Sequence, residues 1–314
     1  MEDNKGNNMQ NYQIKEECDV SIIVVTYNSK WNDIKFTLDS LIQQLGITFE
    51  IVIADDGSED SKYKLVEQYF QKKAFPNYKL VENTTNQGTV ANLISGLNVA
   101  SGQYVKTISP GDSLCDNEIL SKWVSYMKKS ACKWSFSDAF YYRRDNEEIV
   151  PVNEKAHPQN IMPYLKDNKK ECRWNYVVLD DIAMGAAMLC EKELEIAYCK
   201  KILGKVKYAE DNIWRMMMFD GVVGGYYPNR TVYYEYGTGV STANNSIWNQ
   251  RLMNDWNAAN NIMFDQTREL DDFQIEMIRA VQQKQKGYLS KLMIKGKLKQ
   301  FIYSKIKKRM TMVP

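Results

Sequence analysis

The sequence predicts an α/β fold: a doubly wound, mostly parallel sheet flanked by helices, with a helical carboxyl-terminal extension. Short β-branched runs alternate with segments that place apolar residues at helical spacing, and this pair recurs four times within about a hundred residues. Each run ends in polar or glycine-containing residues. Ligands of such sheets bind in the crevice beyond the carboxyl ends of the strands. We therefore expect a binding site at these strand ends.

The first two strand and helix pairs begin at Asp19. The run DVSIIVVTYN is typical of a buried parallel strand, and the helix after it should end at the cap residue Gly46. Apolar residues at helical spacing in this helix are Ile34, Leu38, Leu41, Ile42 and Leu45. The second strand is FEIVIADDGSED, and SKYKLVEQYFQKKA is its helix.

The next two pairs complete the predicted nucleus of the sheet. YKLVENTTNQG indicates a third strand and loop, TVANLISGLNVASG a helix, and QYVKTISPGDSL a fourth strand that ends in a turn. A helix in NEILSKWVSYMKKSA and a strand in KWSFSDAFYYRR should extend the sheet. Segment 151–175 holds three prolines and many charges, so we expect it to be irregular and to mark a soft boundary.

The second half of the chain carries fewer regular patterns. It contains the apolar run YVVLDDIAMGAAMLC, the amphipathic stretch AEDNIWRMMMFDG and the aromatic strand GGYYPNRTVYYEYG. Helices rich in Asn and Trp follow. The consecutive residues Met216, Met217 and Met218 indicate core filling rather than a metal site.

Composition limits the possible chemistry. The chain has 44% hydrophobic and 25% charged residues, and it shows neither an apolar run that could span a membrane nor a secretory signal, so we expect a cytoplasmic protein. The six cysteines lack paired spacing, which indicates reduced thiols. The single histidine, His157, precedes Pro158 in a polar segment and is interpreted as an exposed loop residue. Carboxylates must therefore do any acid/base chemistry.

Charge is distributed unevenly along the chain. Residues 284–314 carry ten basic side chains and no acid, while the remaining 31 basic and 39 acidic residues give −8. An acidic body argues against nucleic-acid binding. The tail spaces Leu298, Phe301, Ile302 and Ile306 on one helical side, which suits peripheral contact with an anionic membrane on its inner, cytoplasmic face. A solvated basic helix that packs on the acidic body is the alternative.

The order and spacing of the strand-end motifs resemble the family 2 glycosyltransferases, which are inverting enzymes with the GT-A fold. The matching pieces, from about Val20 to Thr242, are SIIVVTYN, IVIADDGSED, NQG, ASGQYVKTISPGD, EDN and YYEYGTGVS. The resemblance implies transfer of a sugar from a UDP- or dTDP-linked donor to a hydroxyl of a glycan or lipid-linked acceptor, in surface polysaccharide synthesis. A non-catalytic homologue that binds a sugar nucleotide or a glycan is the alternative.

The resemblance divides the chain into five parts. Residues 1–18 are a flexible lead, 19–150 the nucleotide-sugar-binding half of the GT-A domain, and 151–245 its acceptor-binding half. Residues 246–283 form the carboxyl-terminal helices, and 284–314 form the basic amphipathic tail.

In the family, the first strand ends bind the nucleotide. The residues that the resemblance places in this role are Thr26, Tyr27, Asn28, Asp55, Asp56, Asn86, Gly88 and Ser109. The alternative for Asp-Asp-Gly-Ser is a turn in which Gly57 and Ser58 cap a helix. Many relatives also have an arginine after the NQG loop that touches phosphate. This chain has none there, and Asn92 or Lys106 is the expected replacement.

The family holds Mg²⁺ or Mn²⁺ with an acidic motif after the fourth strand, commonly Asp-x-Asp-Asp. This chain has Ser109-Pro110-Gly111-Asp112, so the resemblance leaves Asp112 as the metal ligand and puts Ser109 at the position of the first acid. The alternative is a Pro-Gly turn in which Asp112 caps the helix that starts near Asn117.

The resemblance makes Asp211, in the Glu-Asp pair of AEDN, the catalytic base that takes the acceptor's proton. Capping of a helix by Asp211 is the alternative. The acceptor side and a mobile loop should be formed by Gly185, Ala186, Glu210, Glu235, Tyr236, Thr238 and Ser241. Tyr233, Tyr234 and Tyr236 either stack on sugars or form a packed face of a strand.

Overall fold

The structure is a computed structural model that describes residues 18–145, 148–237 and 246–285. Within these ranges a single sheet of nine strands forms the centre of the protein. Its strands are β1 (Val20–Thr26), β2 (Phe49–Asp55), β3 (Tyr78–Glu82), β4 (Tyr104–Ile108), β5 (Ser113–Leu114), β6 (Trp134–Asp145), β7 (Glu148–Pro151), β8 (Met188–Glu191) and β9 (Gly225–Glu235).

Helices cover both faces of the sheet in the described ranges. The first six are α1 (Trp31–Leu41), α2 (Tyr63–Lys72), α3 (Thr89–Val99), α4 (Ile119–Ser130), α5 (Met162–Leu165) and α6 (Lys169–Val178). A 3₁₀ turn at Gly185–Ala187 follows. The last four are α7 (Lys192–Ile202), α8 (Asn212–Phe219), α9 (Ser246–Met263) and α10 (Asp272–Gln285). None of the helices in the described part of the chain has the length and hydropathy of a membrane span.

The strand order is β3-β2-β1-β4-β8-β6-β9-β5, with β7 beside β6. Strands β1 to β4 run parallel to one another. Strand β8 pairs antiparallel with both β4 and β6, and β6 pairs parallel with β9. The order reverses at β1, because β2 lies on one side of it and β4 on the other. The carboxyl ends of β1 and β4 therefore flank the crevice where ligands of doubly wound sheets bind.

Two hydrophobic cores lie on opposite faces of this sheet. Because side chains alternate along a strand, Ile22 and Val24 face one core and Ile23 faces the other. Leu38 of α1 and Trp123 of α4 pack in the first core. The second core is formed by α3, α6, α7 and α8, with contributions from α9 and α10. The predicted α/β architecture with helices on both faces is confirmed.

The first helix is shorter than predicted. It ends at Leu41, not at Gly46, and Leu45 is 55% exposed. The reason is a tertiary contact, since Leu45 N–H donates to Asn117 O at 2.6 Å, which draws the backbone out of the helix. Gly46 then adopts a φ of 70° in the connection to β2.

Segment 151–175 is not irregular throughout. Helix α6 begins within it, and the Asn168 side chain caps this helix by accepting from Glu171 N–H at 3.2 Å. Pro163 lies in the first turn of α5, where proline lacks only a donor that would be unpaired anyway. His157 is half-buried, so its expected exposure is wrong. The sheet also continues across the expected boundary, because β8 lies between β4 and β6.

Helix α8 is buried on all sides, so its predicted amphipathicity is wrong. Met216, Met217 and Met218 are core residues, as predicted, with at most 3% exposure. Arg215 is also buried. Its guanidinium can be buried because it donates to Val177 O at 2.8 Å and to the Asn260 side chain. At the other end of the chain, α10 extends to Gln285 and so crosses the expected start of the basic tail. The remainder of that tail lies outside the described residues.

Candidate active site

A cavity of about 440 Å³ opens beside the carboxyl end of β4. Six of the predicted site residues line it: Ser109, Asp112, Gly185, Ala186, Glu210 and Asp211. The other described candidates lie outside its lining. These are Thr26, Tyr27, Asn28, Asp55, Asp56, Asn86, Gly88, Glu235 and Tyr236. Thr238 and Ser241 lie outside the described residues.

Asp55 fixes the ends of β1 and β2 to each other. Its carboxylate accepts from Thr26 Oγ1 at 2.7 Å, from Ser58 N–H at 2.7 Å and from Ser58 Oγ at 2.8 Å. Asp55 and Thr26 are both less than 5% exposed. The Asp-Asp-Gly-Ser turn of the alternative interpretation is therefore present. Its donors hold Asp55 in place beneath the crevice.

Asp56 organises the loop that precedes α3. Its carboxylate accepts from Asn83 Nδ2 at 3.0 Å, from Gln87 N–H at 2.9 Å and from Gly88 N–H at 2.8 Å. Gly88 has a φ of 96°, which favours glycine. Asp56 is 3% exposed, so its carboxylate contacts this loop rather than open solvent.

Three predicted nucleotide residues form the accessible edge of the crevice. Tyr27 is 49% exposed, and Asn86 is half-buried. Asn28 has a φ of 48° and links the two strand ends, because its N–H donates to Ser58 Oγ at 2.7 Å and its Oδ1 accepts from Glu59 N–H at 3.1 Å. Their contact with a nucleotide stays a prediction.

Asn92 and Lys106 support backbone instead of presenting donors to the crevice. Asn92 Nδ2 donates to Ala54 O at 2.9 Å, and Lys106 Nζ donates to Thr107 O at 2.6 Å and Ala186 O at 2.7 Å. Both side chains are buried, at 3% and 0% exposure. Their expected contact with phosphate is therefore contradicted by their packing.

Asp112 is buried where the turn after β4 meets β9. Its Oδ1 accepts from Glu235 N–H at 3.0 Å. It does not cap α4, because the residue at that cap is Glu118. Burial raises the pKa of Asp112 to about 7, although the charges of Lys106 and Arg144 oppose the rise.

Asp112 can supply one carboxylate ligand to a divalent cation. Its Oδ2 makes no hydrogen bond to a described residue, and Asp112 lines the cavity. No group of three or more acidic, histidine or cysteine side chains that could hold a metal occurs in the described ranges. Mg²⁺ is commonly bound by one or two carboxylates together with substrate phosphates, so one aspartate is a sufficient protein ligand.

Asp211 is exposed into the cavity at the amino-terminus of α8. It is the residue before the helix, yet its side chain makes no capping hydrogen bond, so the capping alternative is wrong. Gly185 lies directly against it, because a Cβ atom at position 185 would be 2.2 Å from Asp211 Oδ1. Enclosure by protein raises the pKa of Asp211, and a hydrogen bond from the Trp214 side chain partly opposes this.

Two further carboxylates share the cavity with Asp211. Burial and the charge of Asp211 raise the pKa of Glu210 well above its usual value. Glu195 of α7 was not predicted, since nothing in KELE distinguishes it from a surface glutamate. It is 2% exposed, and burial raises its pKa to about 8, with the charge of Lys106 acting in the opposite direction. No hydrogen bond joins its carboxylate to another described residue.

Glu235 belongs to a charged cluster beside the cavity. Its carboxylate lies 3.6 Å from Arg144 Nε, and Arg144 also pairs with Asp33. Burial raises the pKa of Glu235. A Cβ atom on Gly111 would be 2.4 Å from its Oε2, so the Pro-Gly turn is shaped to admit this carboxylate.

Three tyrosines at the end of β9 and just beyond it pack against β6, on both faces of the sheet. Tyr233 stacks on Phe140 with ring centroids 4.9 Å apart, and Tyr234 and Tyr236 pack edge-on against Tyr141. Of these three, Tyr234 also lines the cavity. All three tyrosines therefore pack against aromatic side chains of β6, and their stacking on a sugar stays a prediction.

Residues 21–193 match the family model described as Glycosyl transferase family 2. The chain is 32% identical over 114 residues to a poly(ribitol-phosphate) beta-glucosyltransferase of Bacillus spizizenii, a region that covers 35% of this chain and 17% of the relative. It is 26% identical over 161 residues to the UDP-Glc:alpha-D-GlcNAc-diphosphoundecaprenol beta-1,3-glucosyltransferase WfaP of Escherichia coli, which covers 51% and 60% of the two chains. The match thus spans less than two thirds of each of these relatives.

Solved structures share the fold. The S. aureus TarS 1–349 complex with UDP-GlcNAc matches with a TM-score of 0.56 and 16% identity, over 84% of this chain and 72% of the TarS 1–349 chain. The mannosyltransferase PcManGT of Pyrobaculum calidifontis, in complex with GDP-Man and Mn²⁺, matches with a TM-score of 0.57 and 16% identity, over 85% and 69%. These similarities confirm the predicted GT-A fold.

Proposed function

Because the chain belongs to glycosyl transferase family 2, we propose that it moves a sugar from a UDP- or dTDP-linked donor to a hydroxyl acceptor with inversion. The proposed setting is surface polysaccharide synthesis on a glycan or lipid-linked acceptor. Two relatives support this: the poly(ribitol-phosphate) beta-glucosyltransferase, and the glucosyltransferase WfaP, which uses a UDP-Glc donor and a diphosphoundecaprenol-linked acceptor.

One observation carries the proposal. The carboxylate of Asp211 is exposed in the same cavity as Asp112 and Ser109 at the end of β4, and it is not used to cap a helix. This supports the proposal, because in-line transfer requires the base and the donor phosphates to lie close together, and all three of these residues line one cavity. A buried, structural aspartate would instead have its oxygens satisfied by the backbone.

Asp211 would act as the general base. Inversion needs one group that accepts the acceptor's hydroxyl proton as that oxygen attacks the anomeric carbon. A carboxylate with an ordinary pKa is a weak base, and enclosure raises the pKa of Asp211 in the direction that strengthens it. The proton would move from the acceptor oxygen to a carboxylate oxygen of Asp211, and the nucleoside diphosphate would leave on the opposite face of the sugar.

The donor would occupy the crevice between the carboxyl ends of β1 and β4. Asp112 would hold Mg²⁺ or Mn²⁺, which when bound would neutralise the charge that develops on the leaving diphosphate. Asp55 and Asp56 would act through the backbone they fix, by shaping the edge formed by Tyr27 and Asn28 and the loop before α3. Glu210 and Ala186, which line the same cavity, would lie on the acceptor side.

The alternative, a non-catalytic homologue that binds a sugar nucleotide or a glycan, is not favoured. It was suggested by the missing first acid of the metal motif, where Ser109 stands. The cavity nevertheless keeps Asp112, Glu210 and Asp211 together, with pKa values raised by burial or enclosure. Groups whose pKa values are shifted in this way cluster at functional sites.

Asp211→Asn tests the proposal. Transfer should fall by about 10²- to 10⁴-fold, because the amide cannot accept the proton, while UDP binding measured by calorimetry stays unchanged. Asp220→Asn is the matched control, since Asp220 lies at the other end of α8 and bonds Tyr198, Lys201 and Arg268. The proposal fails if the unmodified protein binds nucleotide yet turns over no donor with any hydroxyl acceptor.

Contact between the basic tail and the inner face of a membrane stays a prediction, because almost all of residues 284–314 lie outside the described ranges. Lys284, the described start of that segment, pairs with Asp180 and donates to Val178 O at 3.2 Å, so this part of it belongs to the folded body.

A further inference from the structure

Helix α9 contacts the segment that leads into Asp211. The carboxylate of Asp255 accepts three successive backbone N–H groups, from Lys207 at 3.1 Å, Tyr208 at 2.6 Å and Ala209 at 3.0 Å. Asp255 is 7% exposed. This segment belongs to no helix or strand, so its N–H groups have no ladder to join. A single carboxylate therefore satisfies the backbone donors of residues 207–209, and such charge-assisted hydrogen bonds are strong.

The same segment touches the loop before α3. Val90 N–H donates to Lys207 O at 3.2 Å. A Cβ atom on Gly88 would lie 2.6 Å from that oxygen, so the two backbones are in close contact. Gly88 is itself held by Asp56 through its N–H. Residues 207–209 thus lie between the predicted nucleotide loop and α9.

On its carboxyl side, the segment continues into the candidate base. Ala209 O accepts from Asn212 N–H at 3.2 Å and from Asn212 Nδ2 at 2.9 Å, which closes a turn around Glu210 and Asp211. The position of the Asp211 carboxylate therefore depends on where residue 209 is fixed. Asp255 is the side chain that fixes residue 209 from outside this turn.

Helix α9 also forms part of the cavity wall, through Leu252 and Trp256. Tyr208 packs edge-on against Trp248, with ring centroids 4.9 Å apart. The residues that match the family model end at 193, so α9 lies outside that match. The contribution of α9 to the cavity wall therefore could not be inferred from the family match.

We propose that Asp255 is a positioning residue, which holds residues 207–209 so that the carboxylate of Asp211 faces the cavity. Through Asp255, α9 becomes part of the active site. The catalytic part of this inference rests on the proposed function. Asp255 itself does not line the cavity. Its influence passes through backbone to Asp211.

Asp255→Asn tests the inference, because the amide keeps the size of the side chain but turns an NH₂ group toward the N–H donors. We expect kcat to fall about 10- to 100-fold, the loss that a displacement of about 1 Å in a catalytic group produces. The donor KM should change less than kcat, since the predicted nucleotide loop in contact with residue 207 keeps its own hydrogen bonds to Asp56. Asp220→Asn should lower the melting temperature to a similar extent and leave kcat unchanged.

Hydrogen exchange gives a readout that does not depend on turnover. Peptides that cover residues 205–214 should take up deuterium faster in Asp255→Asn, and at the unmodified rate in Asp220→Asn. Unchanged exchange would show that Asp255 does not hold the segment. Faster exchange with an unchanged kcat would also overturn the positioning role. If the unmodified protein transfers no sugar, the proposed function fails, and the exchange comparison still decides whether Asp255 holds residues 207–209.

Discussion

Gly185 and Asp211 are in direct contact across the cavity, close enough that a Cβ atom at position 185 would lie 2.2 Å from Asp211 Oδ1 and 2.6 Å from Oδ2. The 3₁₀ turn that contains Gly185 is held from behind by Lys106, whose ammonium donates to Ala186 O. The orientation of the candidate base is therefore set from two directions, by the turn at residue 185 and by the start of α8.

Gly185→Ala should lower transfer without preventing nucleotide binding. The added methyl must displace the Asp211 carboxylate, and a misplaced catalytic group loses about 10²-fold in rate for a shift of about 1 Å. Steady-state kinetics and calorimetry with UDP would measure the two effects. Gly204→Ala is the control, because a Cβ atom there meets nothing within 4 Å, although its φ of 75° adds backbone strain. Equal activity of Gly185→Ala and the unmodified protein would contradict the importance of this contact.

Asp112→Asn should weaken UDP binding in the presence of Mn²⁺ and leave it unchanged in EDTA. The amide can still accept from Glu235 N–H, so the turn should keep its shape, while the charge that attracts a cation is removed. Because loss of an outer-shell partner alone reduces metal affinity 10- to 100-fold, we expect at least about a 10-fold effect. Identical affinities in Mn²⁺ for the two proteins would reject Asp112 as the metal ligand.

Glu195→Gln should alter how stability depends on pH. Burial raises the pKa of Glu195 from its usual 4.5 to about 8, so between these values the folded protein retains a proton that the unfolded chain releases. This contribution to stability is present at low pH and is lost as the pH rises toward 8. Glutamine does not titrate. Between pH 5 and pH 8 the free energy of unfolding of the variant should therefore rise, relative to that of the unmodified protein, by up to about 4 kcal/mol.

Thermal unfolding at pH 5, 6, 7 and 8 would measure this difference. The comparison should stop at pH 8, because burial lowers the pKa of Lys106 to about 8 and its contribution has the opposite sign above that value. A constant difference in melting temperature between variant and unmodified protein, at all four pH values, would show that Glu195 does not titrate in this range.

Lys106→Met and Glu195→Gln should be coupled. Loss of the ammonium leaves Ala186 O and Thr107 O without their donor and removes the positive charge that lowers the pKa of Glu195, so the single lysine variant should lose about 1–3 kcal/mol. In the double variant residue 195 cannot titrate, so the effect of the ammonium on the pKa of Glu195 is absent and the two changes in the free energy of unfolding should not add. Chemical denaturation of all four proteins measures the coupling. Strictly additive losses would mean that the two groups do not interact.

The sequence predicted the parallel strands well because their signal is local. Runs such as SIIVVTYN are continuous, β-branched and bounded by polar residues, and tertiary contacts did not override them. The end of α1 was missed because a single long-range hydrogen bond, from Leu45 to Asn117 O, determines it. The stretch that contains α8 was predicted to be amphipathic, whereas even its Arg215 is buried, against Val177 and Asn260.

The site was predicted in part. Asp112, Gly185 and Asp211 occur in motifs whose order carries information, and they do meet in one cavity. Glu195 and Asp255 occur in ordinary helical sequence, where a glutamate or aspartate is expected on the surface. Their burial follows from how α7 and α9 pack, which no spacing within those helices reveals.

Strand β8 also bears on the order in which the protein can fold. It fills the gap between β4 and β6, yet it is synthesised about 80 residues after β4. Before β8 is synthesised, the backbone N–H and C=O groups of Tyr104 and Val105 are unpaired at the edge of the sheet. Such an open edge promotes aggregation between nascent chains. The first four strands can assemble early as they leave the ribosome. The sheet is completed only when Met188–Glu191 pairs with β4 and β6, so the cavity beside β4 cannot form until then.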